Sequence, residues 1–174
     1  MEAFKTIISL TLLFLITCCK TNDKTNVVKD CNAIDCEVGL YKNHKKDGVW
    51  KRYDKENNLI EISNYSEGKL NGTSVSLYDN GMVYSTGNYV NDEPHGNISV
   101  YFETGKINFS DNYFYGKKEG FSYLYYKNGN LQSKWFYVLG KRDGEQYEFK
   151  ENQDTLKIEY YKSGILINEK KYKN

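Results

Sequence analysis

Hydrophobic and polar positions along this chain repeat with a constant step of 24 residues. A fixed period in this range indicates a chain built from stacked supersecondary units. Glycine marks the step at five anchor positions: Gly48, Gly72, Gly96, Gly120 and Gly144. A tyrosine column keeps the same step: Tyr41, Tyr65, Tyr89, Tyr113, Tyr137 and Tyr161. Two apolar columns run beside it: Tyr53, Leu77, Tyr101, Tyr125 and Phe149, and Leu59, Val83, Ile107 and Leu131.

Each unit has the pattern of a β-hairpin. Two short runs rich in β-branched and aromatic residues are separated by short turns that contain glycine. Leu59 and Tyr65 are six residues apart, so an unbulged strand places both on one face. A helix is excluded because glycine recurs too often. We therefore predict an all-β fold, an elongated antiparallel meander of about five two-stranded hairpin repeats in a single twisted sheet.

Two further columns carry the turns and predict a left-handed backbone. Where glycine is missing from the turn and anchor columns, the chain has His44, Asn57, Asp92 and Asn168. Asn, Asp and His are the non-glycine residues that best tolerate a positive φ. Gln153 does not fit this rule, so the last unit is expected to turn differently.

The N-terminus predicts export and a lipid anchor. A lysine is followed by about a dozen mostly apolar residues, which suits a signal-peptide core and is too short to span a bilayer. The run ends at Cys18 and Cys19, and Leu15 to Cys18 resembles the lipobox of bacterial lipoproteins. We predict a signal peptide over residues 1–17 and acylation of Cys18, with Cys19 as the alternative. An ordinary secreted protein without lipid and a short membrane anchor are the competing interpretations. The predicted location is the cell envelope, at the outer membrane or facing the periplasm.

The next segment is polar and charged without an apolar period. Residues 18–37 are therefore predicted to be a flexible tether, and residues 38–174 to be the repeat domain, with units starting at the anchor glycines. Cys31 and Cys36 frame a four-residue loop. An oxidising envelope permits a disulfide between them, and two free thiols are the alternative.

Catalytic and nucleic-acid-binding patterns are missing from the sequence. The net charge is +1 and no basic stripe is present, which argues against nucleic acid as a partner. His44 and His95 fall in or beside the turn columns, so we interpret both as solvated loop residues rather than as general bases. We predict no enzymatic activity, no cofactor and no metal.

One aromatic column predicts an interaction face. It lies one position past an apolar column and consists of Tyr78, Phe102 and Tyr126, with Trp135 and Phe136 in the same region. If the face that carries these side chains is wet, they form an apolar patch of the kind that marks a protein interface.

The motifs resemble a known repeat family. Residues Gly48 to Tyr53 read Gly-Xaa-Trp-Xaa-Xaa-Tyr, and Tyr113 to Gly120 read Tyr-Xaa-Xaa-Gly-Lys-Xaa-Xaa-Gly. Together with the Asn-Gly turns they resemble MORN repeats of the bacterial variant class, over about residues 41–168. The resemblance implies a sheet of hairpins and a non-catalytic role in interaction or scaffolding, anchored here to the membrane. Some members are reported to associate with phospholipid, and some bacterial relatives carry an antitoxin-like label, so an antitoxin or immunity protein that binds a toxin is the alternative function.

Overall fold

The computed structural model describes residues 26–32 and 35–172. Over these residues fifteen strands form one antiparallel sheet, and the strands follow one another in chain order except that β9 and β12 pair beside the main path with β8 and β11. The predicted all-β meander of hairpins is confirmed. The strands are β1 (Asn26–Cys31), β2 (Asp35–Lys42), β3 (Lys45–Asp54), β4 (Leu59–Ser66), β5 (Lys69–Leu77), β6 (Val83–Val90), β7 (Glu93–Tyr101), β8 (Ile107–Phe114), β9 (Lys117–Lys118), β10 (Gly120–Tyr125), β11 (Leu131–Val138), β12 (Lys141–Arg142), β13 (Gly144–Phe149), β14 (Thr155–Lys162) and β15 (Ile165–Lys171).

Five loops of one type form one long edge of the sheet, which we call the loop edge. In the first loop the Asp54 N–H donates to the Asn58 carbonyl and the Asn57 N–H donates to the Asp54 carbonyl. The fourth residue has a positive φ, as the predicted three-residue loop requires. The same two bonds close every loop of the series: residues 54–58, 78–82, 102–106, 126–130 and 150–154.

The expectation that the last unit turns differently is wrong. Gln153 has a φ of 74°, and its N–H donates to the Lys150 carbonyl as in the other four loops. The pairing of β13 with β14 sets this loop geometry from both ends, and it imposes a left-handed backbone on a residue that ordinarily avoids it.

Six two-residue turns form the opposite edge, which we call the turn edge. Both central residues of each turn have a positive φ, the signature of the type I′ hairpin turn that suits twisted strands. The predicted left-handed backbone is confirmed at His44 and Asp92. The sequence did not predict that the first central residue is also left-handed, as at Tyr115 and Leu139. The central pairs are residues 43–44, 67–68, 91–92, 115–116, 139–140 and 163–164.

The anchor glycines are explained by backbone conformation rather than by space. A Cβ added at Gly48 would meet no atom within 4 Å, whereas its φ of 73° disfavours any side chain. Asn168, predicted to replace the next anchor glycine, does not take a positive φ, and that prediction is wrong. It pairs with Tyr160 as an ordinary strand residue, because the irregularity of β15 leaves Ile167 unpaired instead.

Strand register divides the side chains between two faces. The tyrosine face carries the tyrosine column, with Trp50 opposite Ser63, and Ser122 opposite Trp135. The other side of the sheet is called the second face. Most buried side chains lie on the tyrosine face. Two of them are apolar, Trp50 and Val100, and the others are polar: Ser63, Asp111, Ser122, Ser133 and Gln146.

Trp50 is the largest buried apolar residue, with 3% of its surface exposed. Its Nε1–H donates to the Leu40 carbonyl at 3.1 Å, and Tyr41 packs edge-on with ring centroids 5.0 Å away. A Cβ added at Gly39 would lie 2.3 Å from the nearest indole atom. Gly39 is therefore required by close approach of the tryptophan ring.

The sheet begins earlier than the sequence predicted. β1 pairs with β2 from Asn26 opposite Tyr41 to Cys31 opposite Cys36, so the predicted tether is wrong for residues 26–31 and 35–37. A disulfide joins Cys31 to Cys36 across this pair. Regular backbone pairing with β2 orders a segment that has no apolar period of its own. The predicted signal peptide, Cys18 and Cys19 lie outside the described residues.

We expect Gly39→Ala to lower the free energy of unfolding by about 2 kcal/mol, because overpacking forces the indole ring off its site. Urea denaturation measures the change. The double variant Gly39→Ala/Trp50→Leu should be less destabilised than the sum of the two single variants, since the smaller side chain relieves the clash. An unchanged unfolding midpoint for Gly39→Ala would contradict the packing described for Trp50.

Candidate functional site

A ladder of tyrosines and cations covers the tyrosine face. Each column tyrosine pairs across its turn with the residue five positions later, and at three positions this residue is a cation. Lys46 Nζ lies 4.5 Å from the Trp50 ring centroid and 5.1 Å from that of Tyr65. The Arg142 guanidinium lies 5.4 Å from the Tyr161 ring centroid. Such contacts stabilise the sheet by about 0.5–1 kcal/mol each where they are partly exposed.

A carboxylate on a neighbouring strand neutralises each ladder cation. The nitrogen–oxygen distances are 2.6 Å for Lys46 with Glu37, 2.7 Å for Lys118 with Asp111, and 3.6 Å for Arg142 with Glu159. Burial by itself lowers the pKa of Lys118, but the hydrogen bond and charge of Asp111 outweigh it and raise the pKa overall. The ladder charges are thus paired within the sheet, which indicates a structural role for this face.

The first half of the second face, from β3 to about β8, carries a set of hydrogen-bonded polar side chains. Asn64 Nδ2 donates to the Thr73 carbonyl at 2.7 Å, and the Thr73 hydroxyl donates to Asn88 Oδ1 at 2.9 Å. One column step further, Asn112 Nδ2 donates to the Phe121 carbonyl at 3.0 Å. Asn64 and Asn112 satisfy backbone carbonyls between strands, and the aliphatic side chains of Val49, Ile62 and Val75 share this half of the face by register.

The second half of the same face is aromatic. Along the column that begins with Asn64, Asn88 and Asn112, the next two residues are Phe136 and Tyr160. Five rings on β10, β11, β13 and β14 define what we call the aromatic patch. They share the second face by strand register. The members of the patch are Phe121, Tyr123, Phe136, Tyr147 and Tyr160.

Three rings of the aromatic patch are in contact through Phe121. The centroid of Phe121 lies 4.9 Å from that of Phe136 and 6.0 Å from that of Tyr123, and Lys134 Nζ lies 4.4 Å above the Phe121 ring. Phe121 is nevertheless 40% exposed. In the part of the chain that the structure describes, no second layer packs on this face. A contiguous uncovered aromatic surface of this kind marks an interaction site.

Tyr147 contributes the strongest electrostatic feature of the patch. Its hydroxyl donates a hydrogen bond to the Glu145 carboxylate on the same face. This bond favours the neutral phenol, and together with partial burial and the negative charge of Glu145 it raises the pKa of Tyr147 to about 12. Tyr147 is thus a neutral hydrogen-bonding group at neutral pH, oriented by Glu145.

The structure divides the five residues of the predicted interaction face: Tyr78 and Phe102 line one surface pocket, and Tyr126 and Trp135 line another. Trp135 and Phe136 are neighbours in β11 and point to opposite faces, so only Phe136 joins the aromatic patch. Tyr78, Phe102 and Tyr126 are half-buried first residues of hairpin loops on the loop edge.

The two tyrosines among these loop residues, Tyr78 and Tyr126, connect consecutive units. The Tyr78 hydroxyl donates to the Tyr101 carbonyl at 2.6 Å, and the Tyr126 hydroxyl donates to the Phe149 carbonyl at 2.8 Å. Each bond reaches 23 residues along the chain, to the last strand residue before the next loop. The sequence analysis did not identify four members of the patch: Phe121, Tyr123, Tyr147 and Tyr160. Two signals could have found them. One is the alternation of residues within β10 and β13, and the other is the change from asparagine to aromatic residues at Phe136.

The two histidines differ in their surroundings. His44 is an exposed turn residue, as expected, whereas His95 lies within β7 and is half-buried. Its ring centroid lies 4.5 Å from that of Tyr115 and 5.4 Å from that of Phe114, so the prediction of a solvated loop residue is wrong for His95. Its two neighbours in β7 are paired, Pro94 with Tyr89 of β6 and Gly96 with Tyr113 of β8, and this pairing holds His95 within the sheet.

The described residues form neither a metal-ligand cluster nor a membrane-spanning helix. Over residues 26–32 and 35–172, no group of three His, Cys, Asp or Glu side chains could hold a metal ion. Within those same ranges no helix has the length and apolar character needed to cross a bilayer.

Comparison with protein families identifies the repeat. Residues 46–67, 70–91 and 118–138 match a family model described as MORN repeat variant. The three matches begin at positions separated by one and then two steps of 24 residues, in phase with the anchor glycines. Among curated proteins no significant match is found.

We expect the tyrosine titration of the protein to contain a component at a pKa of about 12 that Tyr147→Phe removes. The Tyr147–Glu145 hydrogen bond is present below the ordinary tyrosine pKa and is lost as the pH rises through about 12. Glu145→Gln should shift that component toward the ordinary value of 10.0, because the neighbouring negative charge is removed. Ultraviolet absorbance of tyrosinate follows the titration, and a Tyr147 component at its ordinary pKa in the wild type would contradict the geometry.

Proposed function

This chain carries MORN repeats of the variant class, and from that premise we propose that it is a lipid-anchored, non-catalytic module that binds a protein partner at the bacterial cell envelope. The repeats themselves suggest a module for protein or membrane interaction. The aromatic patch on the uncovered second face is the observation that favours a protein partner.

The chemistry of the aromatic patch suits a protein interface. Tyrosine and phenylalanine supply large contact areas, and interface centres are enriched in aromatic residues. Lys134 and Glu145 lie beside the rings and provide one charge of each sign. The amides in the first half of the second face bond within the sheet, and contacting rings such as Phe121 and Phe136 lie in the second half, so we propose the second half as the interface.

A non-catalytic role is supported by how the ionisable groups are used. The ladder cations are paired with carboxylates, and the repeat fold is typically non-catalytic. Among the residues that the structure describes, none favours the antitoxin-like alternative over an envelope partner.

Lipid anchoring rests on the N-terminal pattern. The apolar run ends at Cys18, and several acyl chains on one cysteine would hold the protein firmly, at about 0.8 kcal/mol per buried methylene. The disulfide between Cys31 and Cys36 is compatible with an oxidising compartment.

Truncation of a ring in the aromatic patch should weaken partner binding, whereas truncation of the equivalent residue in the first half of the second face should not. We expect Phe121→Ala to weaken binding of the envelope partner by about 2 kcal/mol, roughly thirtyfold, because a central aromatic contact is lost. The matched control is Asn97→Ala, one unit earlier in the same column. Cross-linking from a photoreactive residue at Tyr123 in intact cells, followed by affinity measurement with the captured protein, provides the test. Equal affinities for the two variants would refute the patch as the interface.

The anchor can be tested independently of the patch. Metabolic labelling with a fatty acid should tag the wild-type chain and the Cys19→Ala variant, whereas Cys18→Ala should incorporate no label and should leave the membrane fraction. Labelling that persists in Cys18→Ala and disappears in Cys19→Ala would assign the anchor to the alternative cysteine. The absence of label from the wild type would rule out lipid anchoring.

A further inference from the structure

A cavity of about 410 Å³ lies on the loop edge, between the second and third loops. This volume is within the range of pockets that hold small ligands or single side chains. The Tyr84 side chain is 45% exposed, so the cavity opens to solvent. We call it the loop-edge pocket, and its lining residues are Leu77, Tyr78, Asp79, Asn80, Tyr84 and Glu103.

Two tyrosine rings form adjacent walls of the loop-edge pocket. The ring centroids of Tyr78 and Tyr84 are 5.1 Å apart, and the two ring planes meet at 72°. The bond from the Tyr78 hydroxyl to the Tyr101 carbonyl holds the Tyr78 ring in place. Because the face of an aromatic ring is negative, two rings held nearly at right angles suit a cation.

Two carboxylates give the loop-edge pocket a negative charge. Across the described ranges no ion pair or hydrogen bond engages the side chain of Asp79 or Glu103, in contrast to the carboxylates that neutralise the ladder cations. Lys127 lines an adjoining cavity together with Glu103 but forms no ion pair with it. Partial desolvation and, second, the charge of Glu103 raise the pKa of Tyr78, so that negative charge acts on the pocket wall.

The hairpin fold does not require this combination of rings and charges. In the fourth hairpin Tyr126 makes the same hydroxyl bond as Tyr78, yet the positions equivalent to Asp79 and Tyr84 are Lys127 and Gln132. That hairpin therefore keeps the structural bond without a second ring and with the opposite charge. The features that distinguish the loop-edge pocket are the ones that would bind a cation.

We propose that the loop-edge pocket binds the guanidinium group of an arginine side chain on a partner protein. A guanidinium is flat and weakly hydrated, stacks on aromatic rings and pairs with carboxylates, so it matches both kinds of wall. A lysine ammonium is more strongly hydrated and matches the rings less well. This inference goes beyond the proposed function, because it depends neither on the lipid anchor nor on the aromatic patch.

Titration with short peptides tests the ligand chemistry. The full-length chain, labelled with carbon-13 in its tyrosine rings, is titrated with acetyl-Gly-Arg-Gly-amide and followed by nuclear magnetic resonance. The matched peptides carry citrulline, which has nearly the shape of arginine without its charge, or lysine. We expect the arginine peptide to shift the signals of Tyr78 and Tyr84 and to bind about fivefold more tightly than either matched peptide.

Variants taken from the repeat itself test the walls of the pocket. Tyr84→Gln and Asp79→Lys introduce the residues that the fourth hairpin has at these positions, so the fold should persist. Tyr84→Gln should weaken binding of the arginine peptide about fivefold, and Asp79→Lys should abolish it.

A matched pair isolates the role of charge. Glu103→Gln should weaken binding about threefold, whereas Glu151→Gln, at the same position two repeats later, should leave it unchanged. Four strand spacings separate these two positions by about 19 Å, which exceeds the distance over which physiological salt screens a charge.

Three results would overturn the inference: equal affinity for the arginine and citrulline peptides, unchanged affinity in Tyr84→Gln, or tighter binding of tetramethylammonium than of the arginine peptide. Loss of peptide binding in Phe121→Ala would also overturn it, because the peptide would then occupy the aromatic patch. The proposed function is tested separately by the affinity of Phe121→Ala for the envelope partner, so the failure of one proposal is distinguishable from the failure of the other.

Discussion

The structure depends on how one sheet covers its own face. Sheets ordinarily bury a face against a second layer, but the described residues provide no such layer. The tyrosine face is covered instead by its own long side chains, in which column tyrosines alternate with residues such as Lys46 and Arg142. Because the carboxylates of Glu37 and Glu159 neutralise these cations, the face can be closed without isolated charge.

This arrangement explains why small residues recur beside large ones. Gly39 leaves room for the Trp50 ring, and Ser122 faces Trp135 in the same way across β10 and β11. Gln146, which takes the Trp50 position in the last unit, is buried and hydrogen-bonds the Phe136 N–H and carbonyl together with the Asp143 carbonyl. The backbone thus satisfies the buried amide of Gln146, whereas the buried hydroxyl of Ser122 has no hydrogen-bond partner among the described residues.

The need of the sheet to cover its own tyrosine face also decides which surfaces are available for binding. Since the tyrosine face is used to stabilise the sheet, the second face and the two edges remain for interaction. The aromatic patch lies in the later units, where Asn gives way to Phe136. Protein binding is therefore proposed for a surface that the packing of the sheet leaves uncovered.

The sequence by itself determined the repeat, the hairpins and the left-handed turn columns, because each depends on local backbone preference and on a period that is visible along the chain. Only the tertiary structure decided which face each side chain occupies. Trp135 and Phe136 separate by ordinary strand alternation. Register shifts at the loops and at the anchor glycines break that alternation elsewhere, and Tyr78 bonds to a carbonyl 23 residues away. Pairing with neighbouring strands, which local sequence does not encode, likewise explains three features: the strand formed by residues 26–31, the left-handed turn at Gln153 and the position of His95 within β7.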